Sequence, residues 1–238
     1  MTAPLGVRYL TCSAPGLVFD FRAAVAAGSC SNRGMRLEEQ MRFVTEAGRL
    51  KAVLRQTRLT EPARRENSAE HSWHLAVMAL VLADHAVPGT DLGRVIAMLL
   101  VHDLVEIDAG DLFLYADQAQ HARQEEAERA AADRIFALLP ADQATRIRAL
   151  WDEFEERETP EAKFARALDR LQPMLANFQA GGGTWAIHQI TTDQVLPNLA
   201  LIEDGSAALG DYARDLLARA ADAGMLARPP RETGPPPP

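Results

Sequence analysis

The apolar run Val95-Ile-Ala-Met-Leu-Leu-Val101 ends on two adjacent ionisable residues, His102 and Asp103. So continuous a run reads as a helix buried on most of its surface, and ionisable groups at the end of a buried helix are costly unless something pairs with them. The segment continues Leu104-Val-Glu106-Ile-Asp-Ala-Gly110-Asp111; Glu70-His71-Ser72 precedes it and Asp169 follows much later. Two histidines and two aspartates are enough to hold one divalent cation, leaving Glu106 and Asp111 free beside it.

With 238 residues, 47% of them hydrophobic, the chain has material for one large domain with its own core. Ala, Leu, Arg and Glu dominate and long β-branched runs are missing, so the fold class expected is an all-α helical bundle. A formal net charge of -8 argues against extended nucleic-acid binding, which needs basic stripes, but leaves small phosphorylated substrates open. No run is long enough for a membrane span, and the first residues lack a basic region followed by a continuous apolar one, so no signal peptide is expected. Cys12 and Cys30 both fall outside the expected core; this suits a reducing cytoplasm and excludes a core cysteine nucleophile or thiolate zinc site.

Residues 1–34 carry Pro and Gly breaks and no helical period. They read either as a gene-model extension ahead of a start at Met35 or as a poorly ordered native arm. The bundle is expected over 35–225, and the Pro-rich tail 226–238 is expected to be disordered. Helices are expected over about 36–55, 67–85, 91–107, 117–138, 142–156, 160–180 and 206–224. Asn67-Ser-Ala-Glu70 has the form of a capping box, and Thr159-Pro160-Glu161 that of a strong helix start.

On a helix, residues three and four apart share a face, so Glu106 lies one turn beyond both His102 and Asp103. Asp111 follows Gly110, which is also ordinary turn chemistry. His71 stands in the first turn of its helix with His74 one turn on, and either imidazole is placed to point inward. Asp169 interrupts the apolar stripe of Ala165, Leu168, Leu171, Leu175 and Phe178, with Pro173 four residues later; the plain alternative is a surface carboxylate paired with Arg166 or Arg170. Trp185 and His188 either cover a site or pack the last helix, packing being the simpler reading. Ser72 has no free His-Asp relay to activate it as a nucleophile.

Taken in order, His71, His102-Asp103-x-x-Glu106-x-x-x-Gly110-Asp111 and Ala167-Leu168-Asp169 resemble the HD-domain superfamily of metal-dependent phosphohydrolases. The branch most similar contains bacterial 5′-deoxynucleotidases and related HD hydrolases, and the resemblance spans roughly residues 37–225. It implies an HD-domain bundle with a mononuclear site among three helices, and a homodimer. His71, His102, Asp103 and Asp169 would be the ligands of one divalent ion (Mn, Co, Fe, Zn or Mg), with Glu106 and Asp111 as catalytic or substrate-orienting acids. The implied reaction is hydrolysis of a phosphate monoester, a nucleoside 5′-monophosphate above all. A phosphodiesterase, a nucleotide pyrophosphohydrolase and a non-catalytic nucleotide sensor are the alternatives.

The family places an arginine followed by an aromatic residue upstream of the first ligand. Here that region reads Arg55-Gln-Thr-Arg58, so Arg55 and Arg58 are the candidate phosphate contacts, and a strict deoxyribose preference is not carried over. Ile107 stands where the superfamily's alarmone hydrolases carry a second acid. His121, the one histidine between His102 and Asp169, lies in a charged stretch that reads as a solvated face, so one metal fits better than two.

Overall fold

The structure is a computed structural model that describes residues 32–59 and 64–227. Helix α1 (Asn32–Ala47) leads through a 3-10 turn (Gly48–Ala52) into strands β1 (Leu54–Arg58) and β2 (Arg65–Asn67). Then follow α2 (Ser68–Val81), α3 (Leu92–Val101), a 3-10 turn (His102–Val105) and α4 (Glu106–Ala109). The remaining elements are α5 (Gln118–Phe136), α6 (Ala141–Glu156), α7 (Pro160–Gln179), α8 (Gly183–Ile187), α9 (Thr192–Gly205) and α10 (Ala207–Asp222). Most of residues 1–34 and of the Pro-rich tail lie outside the described residues. α1 already begins at Asn32, three residues ahead of Met35.

Helix α7 is the axis of the bundle and packs against α2, α3, α6, α8, α9 and α10. It starts where the sequence signals it: the Thr159 side chain accepts the Ala162 N–H at 3.1 Å, and Pro160 occupies the first turn. Phe164, Ala165, Ala167, Leu168, Leu171 and Met174 are buried along it, and Pro173 is accommodated within it. α9 crosses it closely, since a Cβ at Gly205 would overlap the Lys163 carbonyl oxygen. α9 has no counterpart among the helices expected from sequence; Pro197 lies inside it, where proline normally argues against a helix.

A second correction concerns the expected helix over 36–55. It stops at Ala47, and Leu54–Arg58 instead pairs antiparallel with Arg65–Asn67, with Leu54 opposite Asn67 and Arg58 opposite Arg65. Local propensity favours helix for such residues, and tertiary contacts override it. The Gln56 N–H is held by Asp111 Oδ2 at 3.2 Å, and the Ser68 N–H by the Val53 carbonyl at 3.1 Å. The hairpin thereby delivers Arg55 and Glu66 to the buried end of α2.

Candidate metal centre

Asn67 closes β2 and also caps α2. Its Oδ1 accepts the Glu70 N–H at 3.0 Å while Glu70 Oε2 accepts the Asn67 N–H at 3.2 Å. This explains Glu70-His71-Ser72 residue by residue. Glu70 caps, and pairs with Arg64 through Nη1 at 2.8 Å; Ser72 is buried and donates to the Ser68 carbonyl at 2.9 Å; His71 turns inward and is fully buried.

The expected helix over 91–107 tightens at Val101 into the 3-10 turn His102–Val105 before α4 begins. In a 3-10 turn, side chains three apart eclipse one another, which puts Asp103 and Glu106 on one side. Gly110 then ends α4 at φ 75°, a conformation that suits glycine, and the chain turns so that Asp111 faces Arg55. Phe154, from α6, fixes two neighbours: its ring centroid is 4.8 Å from that of His102, and the Arg166 guanidinium lies 4.5 Å over its face.

His71, His102 and Asp169 each offer one ligand atom, and these atoms lie within 4.8 Å of one another in the buried interior. Asp169 Oδ1 is 3.0 Å from His71 Nε2 and 3.8 Å from His102 Nε2. His102 Nδ1 donates to the Leu99 carbonyl at 2.9 Å, so Nε2 carries the lone pair of the neutral imidazole. That nitrogen is buried without a hydrogen-bond partner, although Asp103 Oδ1 is 3.0 Å away. His71 is arranged alike. Gln172 Nε2 donates to Glu66 Oε1 at 2.9 Å, which turns Gln172 Oε1 toward His71 Nδ1 at 3.2 Å and leaves His71 Nε2 facing Asp169. Lone pairs of two imidazoles and a carboxylate converging in a buried site call for a cation, and this donor set fits a divalent metal.

The surrounding charges act on the two rings in opposite directions. Burial, with Arg55 nearby, lowers the His71 pKa to about 4, so the ring stays neutral. His102 moves the other way: burial opposes its charge, but Asp103 and Asp169 outweigh burial and raise it. For Asp169 burial is likewise overcome, by Arg170, His71, His102 and Arg166, which hold its carboxyl well below the usual range. Asp103 is lowered to about 2 against burial by His102 and Arg55. The mutual cluster takes in three of the four expected ligands. Asp103 stands at its edge, shared between His102 and Arg55, whose Nη1 donates to Asp103 Oδ2 at 3.1 Å.

The site opens on a cavity of about 200 Å³ lined by His102, Asp103, Glu106, Asp111 and Asp169. Burial, with Asp103, raises Glu106 well above the usual carboxylate range, and Ser68 Oγ donates to its Oε2 at 2.6 Å. Burial raises Asp111 to about 6, with Arg55 pulling the other way.

Of the two candidate phosphate contacts, Arg58 is exposed on β1 and does not line the cavity. Arg55 does, but carboxylates surround it: Asp111 Oδ1 is 3.9 Å from Nη1 and Glu66 Oε2 is 3.6 Å from Nε. The other cavity arginines are Arg157, Arg166 and Arg170. Arg166 Nη1 donates to Asp169 Oδ2 at 3.2 Å and Arg170 Nε is 3.7 Å from the same oxygen, so Asp169 belongs to the cluster and to these ion pairs together. Burial, with Arg166 and Arg157 nearby, brings Arg170 down to about 10 although Asp169 opposes the fall. His121 corrects an expectation, since it is half-buried and lines the cavity. Trp185 is fully buried and both packs the core and lines the cavity, whereas His188 is exposed and stacks on Phe113 at 4.4 Å.

Gln172 and Glu66 were not singled out in the sequence, although Gln172 stands three residues beyond Asp169 on the same helix face. Gln172→Leu is expected to weaken metal affinity about 10- to 100-fold by freeing the His71 ring. Titration of metal-free protein measures this, and unchanged affinity would remove the Glu66–Gln172–His71 relay from the account.

A family model described as HD domain matches residues 47–207. 5'-Deoxynucleotidase HDDC2 of Xenopus laevis is 34% identical over 151 residues, covering 63% of this chain and 72% of the relative. The human protein of the same name is 32% identical over 158 residues, covering 64% and 72%. The crystal structure of a predicted metal-dependent phosphohydrolase from Magnetospirillum magnetotacticum MS-1 is 54% identical. It superposes with a TM-score of 0.76 over 81% of this chain and 99% of that one. A conserved hypothetical protein from Pyrococcus furiosus, 21% identical with a TM-score of 0.54 over 76% and 99%, shares the fold. A match across most of the chain, over the elements that gather His71, His102 and Asp169, means that the chain belongs to the HD-domain family.

Proposed function

We propose that this HD-domain phosphohydrolase releases phosphate from nucleoside 5′-monophosphates. The observation that carries the reading is the buried convergence of His71, His102 and Asp169 beside a cavity that also holds Glu106, Asp111 and arginines. The relatives named 5'-deoxynucleotidase support the substrate class. His71, His102 and Asp169, with Asp103 beside them, would hold one divalent ion; two imidazoles favour Mn, Co, Fe or Zn over Mg. When bound, the ion supplies Lewis acidity toward the phosphoryl group.

The chain's own residues supply the rest. Arg166 and Arg170, with Arg157, balance phosphate charge from α7's side of the cavity, and Arg55 does so from β1. Asp111, ionised at neutral pH, accepts a proton from the attacking water as its oxygen bonds to phosphorus. Glu106 holds a proton there and delivers it to the departing 5′-oxygen as the P–O bond breaks, leaving nucleoside and phosphate. Since Asp111 is raised to about 6, it is neutral below that pH, and kcat/KM is expected to fall as pH drops through about 6. A pH profile checks this, and an acid limb unchanged in Asp111→Asn would reassign the base.

The test is phosphate release, with each metal in turn, from ribo- and deoxynucleoside monophosphates, nucleoside triphosphates and cyclic dinucleotides. Turnover confined to monophosphates supports the reading; preference for the others favours a pyrophosphohydrolase or phosphodiesterase, and no turnover a nucleotide sensor. We also propose a homodimer in a reducing cytoplasm. Among the described residues no helix is long and apolar enough to cross a membrane. Exposed apolar residues line α1 (Leu37, Met41, Val44) and α2 (Trp73, Val77, Leu80), a pattern that favours self-association. Sedimentation is expected to give twice the mass of one chain; a monomer at micromolar concentration would contradict the dimer.

A further inference from the structure

The cavity is also lined by residues that the phosphate chemistry does not use. Asn198, on α9, lines it and is 8% exposed, yet its amide makes no hydrogen bond among the described residues. Its helix neighbours Val195, Leu199 and Ile202 are core residues, so the Asn198 amide is a polar group on an otherwise apolar stretch of α9. Asn177, on α7, lines the same cavity. Its Oδ1 accepts both the Thr184 N–H and the Thr184 hydroxyl at 2.7 Å, which commits the oxygen and leaves its amide N–H groups as donors. Tyr115 OH accepts the Trp185 indole N–H at 3.1 Å and keeps its own proton to donate. Tyr115 packs edge-on against Phe113, ring centroids 5.4 Å apart.

We propose that these residues bind the nucleobase, with Asn198 reading its polar edge and the aromatic side chains covering its faces. The inference rests on the nucleotide reading above and extends it from the phosphate to the base. A carboxamide offers a donor and an acceptor side by side, which matches the edge of a base, and aromatic rings supply faces for stacking. A sugar hydroxyl can also pair with an amide, so a substrate that keeps the sugar and lacks the base distinguishes the two. The unpaired amide also sets a preference for nucleotides over base-free phosphate esters, because a polar site left empty discriminates strongly.

The metal-loaded enzyme is assayed on the four deoxynucleoside 5′-monophosphates and on 2-deoxyribose 5-phosphate, which lacks a base. Asn198→Leu, close in volume and uncharged, is expected to lower kcat/KM for the nucleotides roughly 10-fold or more and to leave the base-free ester unchanged. Equal losses on both would mean that Asn198 serves the sugar or the fold, and no loss on either would mean that it touches nothing; both overturn the proposal. Asn198→Ala is to repeat the pattern if leucine disturbs the packing. Equilibrium binding of the same two ligands separates this proposal from the function it rests on. A chain that hydrolyses no monoester overturns the phosphatase reading, whereas the base site falls only if Asn198→Leu fails to weaken nucleotide binding selectively.

Discussion

Asp169→Asn is expected to strip the metal from the protein and to slow phosphate release on the order of 10³-fold. Asp169 is where the site's two charge systems meet. Its Oδ1 faces His71 and His102 at 3.0 and 3.8 Å, and its Oδ2 faces Arg166 and Arg170 at 3.2 and 3.7 Å. Asparagine keeps the volume, so the packing of α7 survives, and Arg166 retains Glu155 Oε2 at 3.4 Å. What disappears is the negative charge that balances a cation between two neutral imidazoles. Elemental analysis and phosphate release are read on the same sample, and a metal-replete, active Asp169→Asn protein would remove Asp169 from the ligand set.

Glu106→Gln separates chemistry from metal binding. The expected result is an unchanged metal content with turnover lowered about 10²- to 10⁴-fold, the usual loss when a positioned acid is removed. Glu106 lies outside the ligand cluster, is buried, and is held by Ser68 Oγ at 2.6 Å, a partner that glutamine can keep. Burial and Asp103 push its pKa well above the usual carboxylate range, which favours the protonated form that proton delivery needs. Loss of metal in Glu106→Gln would make Glu106 a ligand, and full activity would move the acid elsewhere.

Much of this site was legible because its residues violate the patterns around them. His102-Asp103 stands out at the end of an apolar run, Asp169 inside an apolar stripe, and Glu106 one turn from both members of the pair. Asn67 and Thr159 announced α2 and α7 through capping chemistry that is local and therefore readable. The hairpin was not readable, because Leu54-Arg-Gln-Thr-Arg58 lacks alternation and is held by a distant carboxylate, Asp111. That error misplaced Arg58 and hid Glu66. α9 was masked by Pro197, and with it Asn198. From sequence Arg166 and Arg170 read as surface partners of Asp169 in place of a ligand role for it; one carboxylate with two oxygens serves both sides, which spacing along a helix does not reveal.

Hydrolysis of monophosphates by this chain is proposed to depend on a divalent ion held by His71, His102 and Asp169. The most direct test combines metal analysis of the purified chain with phosphate release from deoxynucleoside 5′-monophosphates, before and after chelation. One transition-metal ion per chain, turnover lost on chelation, and turnover restored by adding metal back are the expected results. A metal-free chain that hydrolyses the same monophosphates at full rate would contradict that dependence.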